Sequence, residues 1–297
     1  MNLGNENPMK YFEPSELIIN EDGSIFHLHL HPEQLADKII LVGDPGRVDL
    51  VASHFDTREC QVKIREFHTV TGMYKGKHIT VLSTGIGCDN IDIAVNELDA
   101  LVNIDFKTRQ EKSNLRSLEL VRIGTCGGLQ SYTPYGTYII SSKSIGFDGL
   151  LNFYARRNDV CDLGFEKAFT SHMKWNPLLC APYVVDANHE LTERIGGEDM
   201  VRGVTIACGG FFGPQGRELR LPLADPMQNK KIENFEYQGW RITNYEMESS
   251  ALSGLARLMG HRATTCCMVV ASRFAKEVNT GYRESIDGLI EKVLDRI

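Results

Sequence analysis

The 297-residue chain lacks most of the features that would mark it for a membrane, for export or for nucleic acid. Its longest uninterrupted apolar run, about Cys266–Ala271, falls far short of the roughly 20 residues a transmembrane helix needs. The opening stretch MNLGNENPMKYFEPSEL has no apolar core of the kind a secretory leader carries. Positive charge is in deficit: the net charge is −7, whereas a nucleic-acid backbone favours basic faces. That deficit leaves small anions open, because converging arginines hold a phosphate through short-range field and hydrogen bonds. The eight cysteines include no CxxC pair, and no Cys/His cluster has the spacing of metal ligands. They read as reduced, mostly buried small hydrophobes in a cytoplasmic protein without a zinc site. Internal repeats, low-complexity tracts and linkers are also missing, so nothing divides the chain.

What is present is an ordinary globular balance of 42% hydrophobic and 24% charged residues, enough to bury a sizeable core. Residues 1–25 are polar and rich in Pro, Asn and Glu, which suggests an extended arm or loosely packed lead-in. Residues 38–43 (KIILVG) form a short apolar run entering the turn GDPGR, which reads as a buried strand followed by a helix from Val48. Segments 61–65, 67–73 and 77–83 alternate like antiparallel strands, with KGK at 75–77 as a hairpin turn. Between Asn90 and Val102 the apolar residues follow helical spacing. Residues 106–118 read as a charged surface insertion, and 148–182 show no clear period. Strands are expected at 118–123, 137–142, 201–208, 242–245 and 264–271, with helices at 248–259 and about 284–297. Strands alternating with helices predict a single α/β domain with a central mixed β-sheet flanked by helices.

Several polar residues sit where an apolar strand runs into a glycine-rich turn, the place where α/β folds tend to hold ligands. In GDPGR, Gly43 exposes its backbone N–H and Arg47 offers a forked donor, a pair suited to phosphate but also compatible with a plain turn. In RIGTCGG (122–128), Arg122 interrupts an apolar strand and Thr125 adds a hydroxyl. A guanidinium there needs either an anionic ligand or a buried carboxylate, and the sequence leaves both open. In NYEMESSAL, Glu246 and Glu248 flank Met247 at the start of a helix. Such glutamates ordinarily serve the helix dipole, although a carboxylate there could also accept from two sugar hydroxyls. In FFGPQGR, Gln215 and Arg217 stand two residues apart beside Phe211 and Phe212. An amide and a guanidinium can read a carbonyl–NH–carbonyl edge while an aromatic faces the ring, and a surface loop would look similar.

Taken together and in this order, with STGIG at 83–87 and EMES at 246–249, these segments resemble the nucleoside phosphorylase family of uridine and purine nucleoside phosphorylases, the uridine branch most closely. The resemblance runs from FHLHL at 26–30 to VVASR at 269–273. It implies one nucleoside phosphorylase domain over 26–297 behind the arm 1–25, forming a homo-oligomer assembled as dimers or hexamers of dimers. By the same resemblance Gly43, Arg47, Arg122 and Thr125 would hold inorganic phosphate, and Arg65 would complete that site across a dimer interface. His27 would reach the 5′-hydroxyl of a neighbouring subunit's nucleoside. Glu246, Met247 and Glu248 would surround the ribose, with Glu248 on its 2′- and 3′-hydroxyls. Phe211 would pack on the base, and Gln215 and Arg217 would read uracil. No organic cofactor is implied. Some relatives hold potassium through residues matching Glu66 and Ile86 and a serine, whose place Asn90 takes here.

The implied reaction suits these residue types. Phosphorolysis replaces the base at the anomeric carbon with phosphate through a transition state resembling an oxocarbenium ion. Phosphate is itself a sufficient nucleophile, so the protein has only to position it and to stabilise charge developing on the leaving base. Arg122, Gln215 and Arg217 are therefore the expected catalytic residues. Purine-cleaving relatives place an aspartate after a serine to protonate the purine, whereas this chain reads Ala271-Ser272-Arg273. The GPQG order of the base loop also departs from the usual PGQ. The expected activity is cleavage of a pyrimidine nucleoside, with a purine nucleoside phosphorylase or a non-catalytic nucleoside or phosphate sensor as the rivals.

Overall fold

In the computed structural model the described residues are 10–272, 277–278 and 283–297. Arg273 and the first nine residues of the N-terminal arm therefore lie outside them. In chain order the elements are β1 (Lys38–Val42), α1 (Pro45–Ala52), β2 (Thr57–Ile64), β3 (Phe67–Tyr74), β4 (Lys77–Ser83), α2 (Cys88–Asn103), β5 (Ile104–Asp105) and β6 (Gln110–Glu111). They continue with β7 (Glu119–Gly128), β8 (Tyr138–Gly146), α3 (Leu163–Met173), β9 (Tyr183–Asp186), α4 (His189–Gly196), β10 (Val201–Ala207) and α5 (Gln228–Asn234). Last come β11 (Glu236–Tyr237), β12 (Trp240–Glu246), α6 (Ser249–Met259), β13 (Arg262–Ser272), β14 (Glu277–Val278) and α7 (Arg283–Arg296). Among the described residues no helix is long and apolar enough to cross a membrane.

One mixed sheet organises the chain in the order β11-β12-β10-β8-β13-β7-β1-β4-β3-β2. Strand β1 is parallel to both β4 and β7, and β7 is parallel to β13. The hairpins β2–β3 and β3–β4 are antiparallel. The second of them turns on Lys75 (φ 46) and Gly76 (φ 77), the two positive φ values that suit the strand twist in a two-residue turn. The other half of the sheet closes on itself. Strand β12 is parallel to β10 but also meets β7 antiparallel, pairing Asn244 with Gly128 and Tyr245 with Gly127. Strands β7, β13, β8, β10 and β12 therefore form a ring.

The core lies on both faces of this sheet, as the unbroken apolar run of β1 requires. Ile39 and Leu41 face α2 and α6, while Ile40 and Val42 face α1, α4 and α7. Helix α7 buries Ile286, Leu289, Ile290, Val293 and Leu294, spaced i, i+3, i+4, i+7 and i+8, which is the stripe one helical face presents. In the stretch 148–182, Phe165, Phe169 and Met173 of α3 pack with Val204, Ile206 and Ile242 of β10 and β12.

Three expectations need correction. The glycine-rich GTCGG at 124–128 is not a turn after the strand at 118–123 but the second half of β7, paired with β13 as far as Gly128. Helix α1 begins at Pro45, three residues earlier than the apolar spacing suggests, because Asp44 caps it by accepting from Gly46 N at 2.8 Å and proline suits a first helical position. Arg47 thus belongs to the first turn of a helix. The described part of the arm is also not loose. Leu17 and Ile25 are buried, and Arg109 donates to the carbonyls of Phe12 (2.8 Å), Glu13 (3.1 Å) and Leu17. The charged insertion 106–118 thereby straps residues 12–17 to the body.

Candidate active site

Three strands and the turns beside them converge on one cavity of about 1070 Å³, slightly above the roughly 300–1,000 Å³ range of small-molecule sites. Strand β1 brings Gly43 and Arg47, β7 brings Arg122 and Thr125, and β12 brings Glu246, Met247 and Glu248. The turn after β10 adds Phe211, Gln215 and Arg217 to the same wall.

Arg122 is 5% exposed and stands in register between Leu41 of β1 and Thr265 of β13. Its Nη2 bonds Glu248, and its Nη1 lies 3.7 Å from Glu246 Oε2. The two readings left open by the sequence therefore combine. A buried carboxylate does partner the guanidinium, yet Nε and Nη1 find no hydrogen-bond acceptor among the described residues. Buried N–H groups of a cation left in this way favour an incoming anion. Burial alone would lower the arginine's hold on its proton, but Glu248 and Glu246 outweigh it and raise the pKa above the ordinary value. The guanidinium is a permanent charge. At Gly43 a side chain would begin 3.7 Å from Arg122 Nη2 and 3.3 Å from Gly85 O, so glycine keeps this approach open. Arg47, also buried, donates to Ile123 O at 3.3 Å. The N-terminal turn of α1 thus faces the same space, where helix N–H groups favour negative charge.

The two glutamates that look alike in sequence have different partners. Glu246 ends β12 and accepts from Ser249 Oγ (2.6 Å), Ser249 N (3.0 Å) and Glu248 N (2.9 Å). It holds the start of α6, the structural role its position suggested. Burial, and after it the charge of Glu248, push its carboxyl up to about 7, with Arg122 pulling the other way. Glu248 instead accepts from Gly87 N at 2.8 Å and from Arg122. Half-buried Met247 is steadied by Cys88, whose thiol donates to its carbonyl at 3.1 Å. Burial, reinforced by Asp148 and the glutamates, raises that thiol's pKa and keeps it protonated.

In the turn after β10, Gln215 is 2% exposed and accepts from Arg217 Nη1 at 2.6 Å. The Arg217 guanidinium lies 3.6 Å above the Phe211 ring and donates to Phe211 O at 2.6 Å. Phe211 and Phe212 meet edge to face at 5.2 Å. The altered GPQG order leaves Gln215 facing the cavity.

His27 and Arg65 are not among the residues that line this cavity. His27 is fixed by Glu97, which accepts from its backbone N at 3.0 Å and lies 2.6 Å from its Nδ1. Arg65 is exposed at the tip of the β2–β3 hairpin with φ 51. Glu66, Ile86 and Asn90 do lie along the cavity edge, but Asn90 Nδ2 donates to Ile86 O at 3.4 Å. Sequence reasoning passed over Gly87, Tyr245 and Ser249 as individual residues, although STGIG and NYEMES contain all three.

The sequence profile described as "Phosphorylase superfamily" matches residues 37–294. The chain belongs to this superfamily. Among curated members of the phosphorylase superfamily, it is 28% identical to a uridine phosphorylase of Thermococcus kodakarensis, over 90% of this chain and 84% of the relative. It is 29% identical to that of Escherichia coli, over 86% and 88%. A DeoD-type purine nucleoside phosphorylase of Bacillus velezensis is 25% identical over 82% and 85%. A Trypanosoma brucei nucleoside phosphorylase, described as showing uridine phosphorylase activity, superimposes with a TM-score of 0.82 at 27% identity, covering 94% of this chain and 98% of its own.

Proposed function

We propose that this phosphorylase cleaves a pyrimidine nucleoside with inorganic phosphate, converting uridine to uracil and ribose 1-phosphate. The observation that carries the reading is the union, in one cavity, of Arg122, with two donor atoms lacking acceptors among the described residues, and the Gln215–Arg217 pair beside Phe211. Curated uridine phosphorylases among its relatives give the same direction.

In this reading phosphate rests on Arg122, Arg47, Thr125 and the turn at Gly43, facing a ribose held by Met247 and Glu248. A phosphate oxygen forms the new bond to C1′ as the bond from C1′ to the base nitrogen breaks, and that electron pair leaves with uracil. Gln215 and Arg217 donate to the uracil oxygens over which the charge spreads. Removal of one such donor typically raises a barrier by about 3–4 kcal/mol. Phosphate is a co-substrate, and no organic cofactor enters any step. Because His27 and Arg65 stand outside their own chain's cavity, we assign them to the site of a neighbouring copy in a cytoplasmic homo-oligomer.

The test is incubation with uridine or inosine, each with and without phosphate. Phosphate-dependent release of uracil is the expected result. Uracil released without phosphate would mean a hydrolase, and inosine cleaved in preference would mean a purine enzyme. Ligand-dependent melting shifts without ribose 1-phosphate from any nucleoside would mean a sensor.

A further inference from the structure

After β10 the chain leaves the ring and pairs in the sheet again only at β11. The base-reading turn 211–217 lies in this excursion. Among the described residues its backbone hydrogen bonds are local: Gln215 and Arg217 N–H groups donate to Phe212 O, and Gly216 N–H donates to Gly213 O. Such bonds give the turn its shape but do not place it over the cavity.

Just past β10 the Cys208 thiol donates to Pro214 O at 3.5 Å, and three further side chains outside the turn tie it to the sheet. Gln228 Nε2 donates to Pro214 O at 2.8 Å, and Asn229 Nδ2 donates to Gly216 O at 3.3 Å. The Tyr245 hydroxyl donates to Asn229 Oδ1 at 3.0 Å and lies 3.3 Å from Gln228 Nε2. Tyr245 is buried, and its backbone is paired on both sides, with Ile206 of β10 and Gly127 of β7. It is a post fixed in the ring, and the next residue is Glu246. Gly216 has φ 65, and a Cβ there would lie 2.5 Å from Asn229 Nδ2. The amide is therefore packed against the turn as well as bonded to it.

We propose that Gln228, Asn229 and Tyr245 are positioning residues that fix the base-reading turn relative to the sugar and phosphate groups, and so govern recognition of the base. The proposal rests on the phosphorolysis reading. Gln215 and Arg217 assist only if the ring they hold keeps C1′ within attacking distance of phosphate, and a displacement near 1 Å can cost about 100-fold in rate.

Asn229→Asp is the decisive variant. It keeps the size of the side chain and the acceptor for Tyr245, but removes the N–H donor and sets a carboxylate against Gly216 O. We expect kcat/KM for uridine to fall by roughly ten- to 100-fold, uracil to bind more weakly in calorimetry, and the KM for phosphate to stay unchanged. Tyr245→Phe, which keeps the ring and loses only the hydroxyl, should show the same pattern and serves if Asn229→Asp fails to fold. A purely structural role would instead lower the melting temperature and alter both KM values together. Unchanged uracil affinity and uridine KM in both variants would overturn the proposal. If the unmodified protein does not cleave uridine, the phosphorolysis reading fails separately, while uracil binding still reports on the bracket.

Discussion

Replacing Arg122 with methionine is the most informative perturbation of the site, because it strips the charge while keeping an unbranched apolar stem. In the native protein Arg122 neutralises Glu248 and faces Glu246, all three nearly fully buried. Removing one partner of a buried ion pair typically costs about 3–5 kcal/mol, since the remaining charge is left uncompensated. That is a large part of the 5–15 kcal/mol that holds a typical protein folded, but not all of it. At about 2 °C per kcal/mol for a chain of this size, the melting temperature should fall by roughly 5–10 °C. The loss should depend on pH. Burial already raises Glu246 from 4.5 to about 7 in the folded protein, so the folded state binds the extra proton and stability declines as pH rises across that interval. Arg122 pulls this value down, so without it the decline is steeper and extends to higher pH. The melting difference between native protein and variant should therefore be small at pH 5 and largest near pH 8. Calorimetric melts at both pH values, with a phosphate titration alongside, provide the assay. Equal losses at the two pH values would refute the uncompensated-carboxylate argument, and unchanged phosphate affinity would confine Arg122 to a structural role.

Arg217→Ala should cut kcat/KM for uridine by at least about 100-fold, the usual effect of losing a charge-stabilising donor, without altering phosphate affinity; equal uridine rates would remove it from base recognition. Glu97→Ala releases the backbone and ring of His27. It should raise the KM for uridine while leaving that for 5′-deoxyuridine unchanged, whereas equal effects on the two nucleosides would deny His27 its 5′-hydroxyl role. Gly72→Ala would drive a Cβ into the backbone carbonyl of Thr57 on the paired strand, an overlap that no rotamer relieves. Thermal melts should show a loss of about 1–3 kcal/mol, and a neutral result would mean the β2–β3 hairpin yields freely.

The sequence alone determined the local elements. Alternation gives β2, β3 and β4, the unbroken apolar run gives β1, and the i, i+3, i+4 stripe gives α7, because each pattern is repeated by neighbours along the chain. It also named the residues that meet at the cavity, since glycine beside a polar group next to an apolar run is itself a local signal. The tertiary structure decided their partnerships. Arg122 and Glu248 are 126 positions apart, and they meet because β7 and β12 pair where the ring closes. Only that register separates Glu246, which caps α6, from Glu248, which faces Arg122; two residues apart in sequence, they look interchangeable. The stretch 148–182 gave no period because it mixes short turns with α3, whose apolar face is defined only by β10 and β12. The bracket of Gln228 and Asn229 was equally silent. Amide side chains on a short polar helix look solvated until the fold sets them against Tyr245 and the carbonyls of Pro214 and Gly216. Short-range periodicity is encoded residue by residue, whereas a partner across the fold is chosen by register and ring closure, which depend on the whole chain.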